Sequence, residues 1–144
     1  MQVSEKGLAL IRRFEGLRLS AYRCPAGVAS IGYGRTAGVK MGDTCTRAEA
    51  DQMLADDAAR FAGHVASLVK VPLNQNQIDA LVAFVYNIGP AAFAKSTMLK
   101  LINQRLFDDA ANQFIRWNRA GTEVLAGLTR RRIAERELFL RAEK

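Results

Sequence analysis

The chain has 144 residues, of which 49% are hydrophobic and only three are proline, so it is expected to fold as one globular domain with a buried core. No apolar run is long enough to span a membrane, and the residues after Met1 lack the charged and then apolar pattern of a signal peptide. The formal net charge of +7 favours a polyanionic partner. Because no nucleic-acid-binding or phosphate-loop motif accompanies the charge, wall or outer-surface polyanions are favoured over nucleic acid.

The N-terminal residues predict a helix followed by a β meander. Residues 4–14 carry apolar side chains at helical spacing, with Ser4 as the N-terminal cap and Gly16 ending the pattern. Residues 17–36 alternate apolar and polar side chains and contain three glycines, which favours short strands and tight turns. One such turn is predicted at Pro25-Ala26-Gly27.

A long linking helix over about 46–70 is predicted next. Thr46 and Glu49 form a capping box, and apolar residues recur at helical spacing behind them. Pro72 ends this helix.

The following segment predicts a buried central helix and two shorter ones. The central helix starts at Asn74 or Asn76, is heavily apolar and stops at Gly89-Pro90. The shorter helices begin near Ser96 and Asp108.

The end of the chain is predicted as a glycine-containing loop over 119–127 and a last helix over about 129–142, capped by Thr129. Together the elements predict an α+β fold in which a small β lobe and a larger helical lobe flank a cleft, the usual place for a ligand. Its parts are a β lobe at about 15–45, a linking helix at about 46–70, and a helical lobe at about 72–144 joined by helix 4–14.

One segment carries a candidate site. It contains Phe14-Glu15-Gly16-Leu17, then Ala21-Tyr22-Arg23-Cys24-Pro25, then Ser30-Ile31-Gly32-Tyr33-Gly34-Arg35-Thr36. Eight residues separate Glu15 from Cys24, and five separate Cys24 from Ser30. This layout resembles the catalytic segment of the phage-type lysozymes, the endolysin muramidases of glycoside hydrolase family 24. Further segments in the family's order are Pro72–Leu81, Tyr86-Asn87-Ile88-Gly89, Phe93–Thr97, Trp117, Gly127-Leu128 and Arg130-Arg131-Arg132.

The resemblance implies a lysozyme-like fold and hydrolysis, with inversion, of the β-1,4 bond between N-acetylmuramic acid and N-acetylglucosamine in peptidoglycan. It implies no cofactor and no metal, and the single histidine excludes a multi-histidine site. The expected partner is bacterial peptidoglycan, with possible contact to an anionic outer membrane, no nucleic acid and a monomeric state. Such an enzyme would remain in the host cytoplasm until released to the periplasm and wall.

Glu15 is the candidate general acid. Protonation of the leaving oxygen needs a carboxyl group that keeps its proton near neutral pH, which burial favours. The run Arg130-Arg131-Arg132 is predicted at the start of the last helix, where arginine opposes the helix dipole, so a specific purpose is expected. By the resemblance, Arg131 forms an ion pair with Glu15, which opposes the effect of burial.

Cys24 and Ser30 are the candidates for handling the attacking water. Cys24 stands where many family members have Asp, and its thiol could position the water or act as a thiolate base. Ser30 stands where most have Thr, and its hydroxyl could hydrogen-bond the same water. The sequence leaves open whether Cys24 and Cys45 come within disulfide reach.

Three further side chains have candidate supporting roles. Arg35 replaces a common His of the family and is expected to contact Asp43 or the sugar chain. Tyr22 and Tyr33 are expected to pack in the β lobe or to line the cleft, core packing being favoured for each, and Trp117 is expected in the core.

A non-catalytic alternative is a cationic wall-binding or membrane-active protein acting through residues 129–144, where Ile133, Leu138 and Phe139 accompany several arginines. Under that alternative the chain would act without Glu15.

Overall fold

Seven α-helices and two short β-hairpins make up the part of the chain that the structure, a computed structural model, describes, namely residues 1–24 and 27–142. The helices are α1 (Glu5–Glu15), α2 (Arg47–Leu68), α3 (Gln75–Ile88), α4 (Pro90–Ala94), α5 (Thr97–Asn103), α6 (Phe107–Ala111) and α7 (Ala126–Leu140), with a 3₁₀-helix at Phe114–Trp117. The strands are β1 (Arg18–Arg23), β2 (Ala29–Gly32), β3 (Arg119–Ala120) and β4 (Glu123–Val124). The predicted α+β class is confirmed.

Helix α3 is the centre of the helical lobe. Its residues from Ile78 to Val85 are all buried, and it packs against α1, α2 and α7. Asn74 begins the helix through a reciprocal capping box with Gln77, and Gly89 ends it with φ +89°. Because the apolar run is surrounded by other helices, burial of each large side chain contributes about 1.5–3 kcal/mol. The predicted buried central helix is confirmed, with Asn74 rather than Asn76 as its start.

The linking helix is confirmed as α2, and its N-terminus is the capping box that the sequence predicts. Thr46 Oγ1 accepts from the Glu49 backbone N–H at 3.1 Å, while Glu49 Oε1 accepts from the Thr46 N–H at 2.9 Å. Two orphan backbone donors are thereby satisfied. One face of α2 packs on α3 and another on β2, so the helix joins the two lobes.

Ser4 precedes α1, but it does not cap the helix with its side chain. Its hydroxyl donates to Asp79 Oδ2 on α3, and its backbone N–H donates to Asp79 Oδ1 at 2.7 Å. The predicted cap is therefore wrong in its chemistry, because the hydroxyl donates a charge-assisted hydrogen bond to a buried carboxylate on another helix and accepts none from a backbone N–H of α1. These bonds fix the start of α1 against the central helix.

The β lobe is smaller than the predicted meander over 17–36. Strands β1 and β2 form one antiparallel pair with a register irregularity between Arg18 and Tyr22, and isolated bridges join Ser20 to Thr44 and Ile31 to Arg35. The turn predicted at Pro25-Ala26-Gly27 includes two residues outside the described ranges.

Two predictions near the C-terminus are wrong. Residues 119–127 are not a loop, because β3 and β4 pair as a tight hairpin whose turn includes Gly121 at φ +62°. Helix α7 then begins at Ala126, so Thr129 lies inside it and its hydroxyl donates to the Leu125 carbonyl at 3.2 Å. The earlier start places the three consecutive arginines in the second turn. No helix of the described ranges is both long and apolar enough to cross a membrane.

Candidate active site

Glu15 is the last residue of α1, where the chain leaves the helical lobe for the β lobe. Gly16 follows with φ +71°, a backbone conformation that glycine adopts without strain, and its N–H closes the helix on the Arg12 carbonyl. The Glu15 side chain is only 19% exposed. The helix end therefore holds a single carboxylate at the junction of the lobes, with part of its surface still open to a ligand.

Arg131 forms an ion pair with Glu15, as the family resemblance implies. Its Nη1 donates to Glu15 Oε2 at 2.6 Å, its Nη2 to the Ala83 carbonyl at 2.9 Å and its Nε to Glu135 Oε2 at 3.2 Å. The Arg131 side chain is 5% exposed. Since the guanidinium is a rigid fork, three acceptors on three helices define its position and hence that of the Glu15 carboxylate.

Glu135 and Arg132 form a second, fully buried ion pair behind the first. Arg132 Nη1 donates to Glu135 Oε1 at 2.6 Å, and both side chains are 0% exposed. Burial raises the pKa of Glu135 and lowers the pKa of Arg132, while the attraction between the two charges opposes each shift. Two carboxylates and two guanidiniums thus alternate from Glu15 to Arg132, which balances the charge of the cluster.

Gly34 allows the β lobe to approach Glu15 closely. A Cβ atom at this position would lie 2.8 Å from Glu15 Oε1, and the φ of +91° also disfavours any side chain. The glycine after β2 is therefore required both by its backbone conformation and by the space that the carboxylate occupies.

A cleft of about 390 Å³ lies between the β lobe and the helices α2 and α3, and it is named the main cleft because it contains the three candidate catalytic residues. Glu15, Cys24 and Ser30 all line it, so the three residues of the sequence motif are brought together. Ser30 is buried, and its hydroxyl donates to the Val28 carbonyl at 3.4 Å. Its oxygen lone pairs are left to accept a hydrogen bond from a ligand or a water. Cys24 and Cys45 are half-buried thiols.

A second cavity of about 640 Å³ lies on the other side of Glu15, toward α7. It is lined by Arg13, Phe14, Asn87, Leu125, Gly127, Leu128, Arg130 and Arg131 as well as Glu15. Glu15 and Asn87 border both cavities, so a long ligand could extend past the carboxylate on either side.

Arg35 binds a residue that the sequence analysis did not single out. Its Nε and Nη2 donate to the two carboxylate oxygens of Asp57 on α2, at 3.1 and 3.0 Å. The expected contact with Asp43 is wrong, because Asp43 accepts from the Lys40 backbone N–H in its own turn. The hydrogen bonds to Asp57 raise the pKa of Arg35. Arg35 and Asp57 also line the main cleft, where the pair ties the β lobe to the linking helix.

The three aromatic expectations differ in outcome. Tyr33 packs in the core as expected, and its carbonyl accepts from the Tyr86 hydroxyl at 2.7 Å. Tyr22 instead lines the cleft, with the Arg18 guanidinium 4.6 Å from its ring centre. Trp117 packs edge-on against Phe84 of the core, as expected. Burial, with the negative charge of Glu15 as the next cause, raises the pKa of Tyr86.

Several residues of the site were missed by sequence reasoning. Asp57 and Glu135 are acidic residues on the buried faces of their helices, three residues from the buried Leu54 and Leu138 respectively, and that spacing was an available signal. Asn87 carries no signal of this kind. The described residues contain no group of three or more acidic, histidine or cysteine side chains that could hold a metal ion.

Comparisons with known proteins identify relatives of this chain. A family model described as phage lysozyme matches residues 12–135. The chain is 44% identical over 143 residues to an endolysin of Acyrthosiphon pisum secondary endosymbiont phage 1, covering 96% of this chain and 98% of the relative. It is 41% identical over 145 residues to the endolysin of Salmonella phage P22, covering 97% and 99%.

Solved structures agree. The muramidase domain of SpmX from Asticaccaulis excentricus is similar with a TM-score of 0.93 and 41% identity, covering 98% of this chain and 99% of that one. A mutant of P22 lysozyme is similar with a TM-score of 0.87 and 40% identity, covering 98% and 99%. The two lobes and the cleft between them are thus those of the lysozyme fold. Within that fold, the chain belongs to the phage lysozyme family.

Proposed function

We propose that this phage lysozyme cleaves peptidoglycan by a single inverting displacement in which Glu15 is the general acid. A phage lysozyme of the endolysin type hydrolyses the β-1,4 bond between N-acetylmuramic acid and N-acetylglucosamine and so lyses the host cell. The observation that carries the proposal is that Glu15 at the end of α1, Cys24 just after β1 and Ser30 on β2 line one cleft.

In the proposed step, a water oxygen bonds to the anomeric carbon while the bond from that carbon to the glycosidic oxygen breaks. The Glu15 proton passes to the leaving oxygen, and a proton of the water passes to the Cys24 thiolate. Ser30 supports this arrangement because its hydroxyl proton is directed at the Val28 carbonyl, which leaves the oxygen to accept from the water. The cleft of about 390 Å³ has room for both a sugar unit and this water.

Arg131 and Glu135 have a positioning role in this proposal. Arg131 Nη1 donates to Glu15 Oε2 at 2.6 Å and so positions the carboxylate. Glu135 accepts from Arg131 Nε and so fixes the orientation of the guanidinium. Arg35 and Tyr33 support the cleft, Arg35 through Asp57 and Tyr33 through its carbonyl bond from Tyr86.

Turbidity loss of outer-membrane-stripped Gram-negative cells tests the general acid. The native protein is expected to lyse the cells, and Glu15→Gln is expected to lose at least 100-fold, in the range of general-acid effects. Glu123→Gln, which removes an exposed carboxylate on β4, is the matched control and should lyse like the native protein. Equal lysis by Glu15→Gln would remove the enzymatic role of Glu15.

Two measurements test the finer parts. NMR of the freshly released sugar should first detect the α-anomer, and a β-anomer would contradict inversion. Cys24→Ser introduces a hydroxyl that can position water but cannot serve as a base near neutral pH, whereas Cys24→Asp supplies a carboxylate base. Loss of activity in the first and retention in the second are expected; full activity of Cys24→Ser would reduce the role of Cys24 to positioning.

The membrane-active alternative is not favoured. Leu138 and Phe139, two of the three apolar side chains that it requires, are buried in the core, and α7 packs along α3. We propose instead that the net charge of +7 brings a monomeric enzyme to the anionic wall or outer-membrane surface after its release from the host cytoplasm.

A further inference from the structure

Asn87 lies in the last turn of α3 with its side chain exposed beside the candidate acid. It borders both the main cleft and the second cavity, a property that it shares with Glu15. A glycan strand that extends from one cavity into the other past Glu15 would therefore also meet Asn87.

The orientation of the Asn87 amide is determined by its neighbour. Arg132 Nη2 donates to Asn87 Oδ1. Because a guanidinium has only donors, the amide atom facing it must be the oxygen, and the Nδ2 group must face the other way. The assignment of Oδ1 and Nδ2 therefore follows from the hydrogen-bonding partner, since the two amide atoms have nearly the same shape.

Several contacts hold the Arg132 side chain. It is fully buried, donates to Glu135 and to the Trp117 carbonyl at 3.0 Å, and stacks over the Phe84 ring at 4.9 Å. The buried cluster thus presents the two N–H groups of an exposed amide as preorganised donors.

We propose that Asn87 is a substrate-binding residue whose Nδ2 donates a hydrogen bond to an acetamido carbonyl oxygen of the glycan next to the scissile bond. The proposal rests on the proposed function and extends it, since it assigns a donor that selects N-acetylated sugars. Glu135 and Arg132 act only through Asn87 here, as positioning residues.

The decisive variant is Asn87→Asp. Aspartate has the same shape and accepts from Arg132 with a charge-assisted bond, so the midpoint of unfolding should stay the same or rise. It presents an acceptor to the substrate carbonyl in place of a donor, so substrate binding should fall. Asn87→Ala should lower the midpoint of unfolding, because it leaves Arg132 with an unsatisfied donor.

Binding is measured by co-sedimentation with purified insoluble peptidoglycan, with every variant carrying Glu15→Gln so that no cleavage and no Glu15 charge intervenes. Asn87→Asp is expected to weaken binding at least tenfold, and more than Asn87→Ala does. The more stable variant is thus expected to be the weaker binder. Asn112→Asp is the matched control, since Asn112 Oδ1 accepts from Arg136 Nη2 at 3.0 Å on the exposed surface; it should bind like the parent.

Parent-like binding by Asn87→Asp, or binding that follows stability across the variants, would overturn the proposal. Peptidoglycan solubilisation by the variants with Glu15 intact should fall in the same order as binding. Failure of the proposed catalysis has a separate signature, because the native protein would then bind peptidoglycan through Asn87 without dissolving it.

Discussion

Replacement of Arg131 by methionine tests whether one guanidinium holds the two lobes' shared site together. The side chain is 5% exposed and donates to Glu15, Glu135 and the Ala83 carbonyl. Methionine keeps the apolar stem and removes all three hydrogen-bond donors. The loss in free energy of unfolding therefore measures the polar contacts and not the packing.

The expected magnitude follows from burial. After the substitution Glu135 is still fully buried but has only one guanidinium partner, while Glu15 is 19% exposed and can be hydrated in part. Breaking a buried ion pair by removing one partner costs about 3–5 kcal/mol. A domain has about 5–15 kcal/mol of stability in all, so the variant should fold but be much weakened.

Urea unfolding followed by circular dichroism measures this loss. With a denaturant slope of about 2 kcal/mol per M, the midpoint should fall by roughly 2 M. Arg130→Met is the matched control, because the neighbouring side chain is exposed and its removal should change stability by no more than about 0.5 kcal/mol. If both variants lose equally little, the argument that Arg131 is the central partner of the cluster is refuted.

Three more outcomes are expected. Gly34→Ala should lower the free energy of unfolding by about 1–2 kcal/mol because of the positive φ. It should also lose most lytic activity, because the new Cβ would displace the Glu15 carboxylate. Gly38→Ala, with φ +72° and open space around it, should lose stability but keep lytic activity. The raised pKa of Tyr86 means that the folded state keeps a proton that the unfolded state releases near pH 10. Its contribution to stability is therefore present below about pH 10 and is lost as pH rises further, so Tyr86→Phe should flatten the alkaline fall in the free energy of unfolding, measured by urea titration at several pH values. Thr46→Ala should cost about 1 kcal/mol in the same assay through loss of the capping box, and an unchanged midpoint would contradict the role of that cap.

Local patterns in the sequence determined the elements whose causes are themselves local. The capping box at Thr46 forms as predicted, because both of its partners lie within one helical turn. The apolar run of α3 was sufficient to place that helix at the centre, since such a run must be covered on all sides. The spacing of Glu15, Cys24 and Ser30, read with the family resemblance, was sufficient to select three of the side chains that line the cleft.

Contacts between distant residues were decided only by the tertiary structure. Ser4 is of a residue type that favours helix N-caps, but its hydroxyl bonds to Asp79 on α3. Arg35 bonds to Asp57 on α2 and not to Asp43, which is nearer in the sequence. In both cases a carboxylate on a packed helix is better placed than a local partner. The same holds for Asn87, whose orientation depends on a buried arginine 45 residues away in the chain. Sequence spacing determines which groups share a turn or a strand face, whereas the packing of helices decides which charges are buried together and must therefore pair.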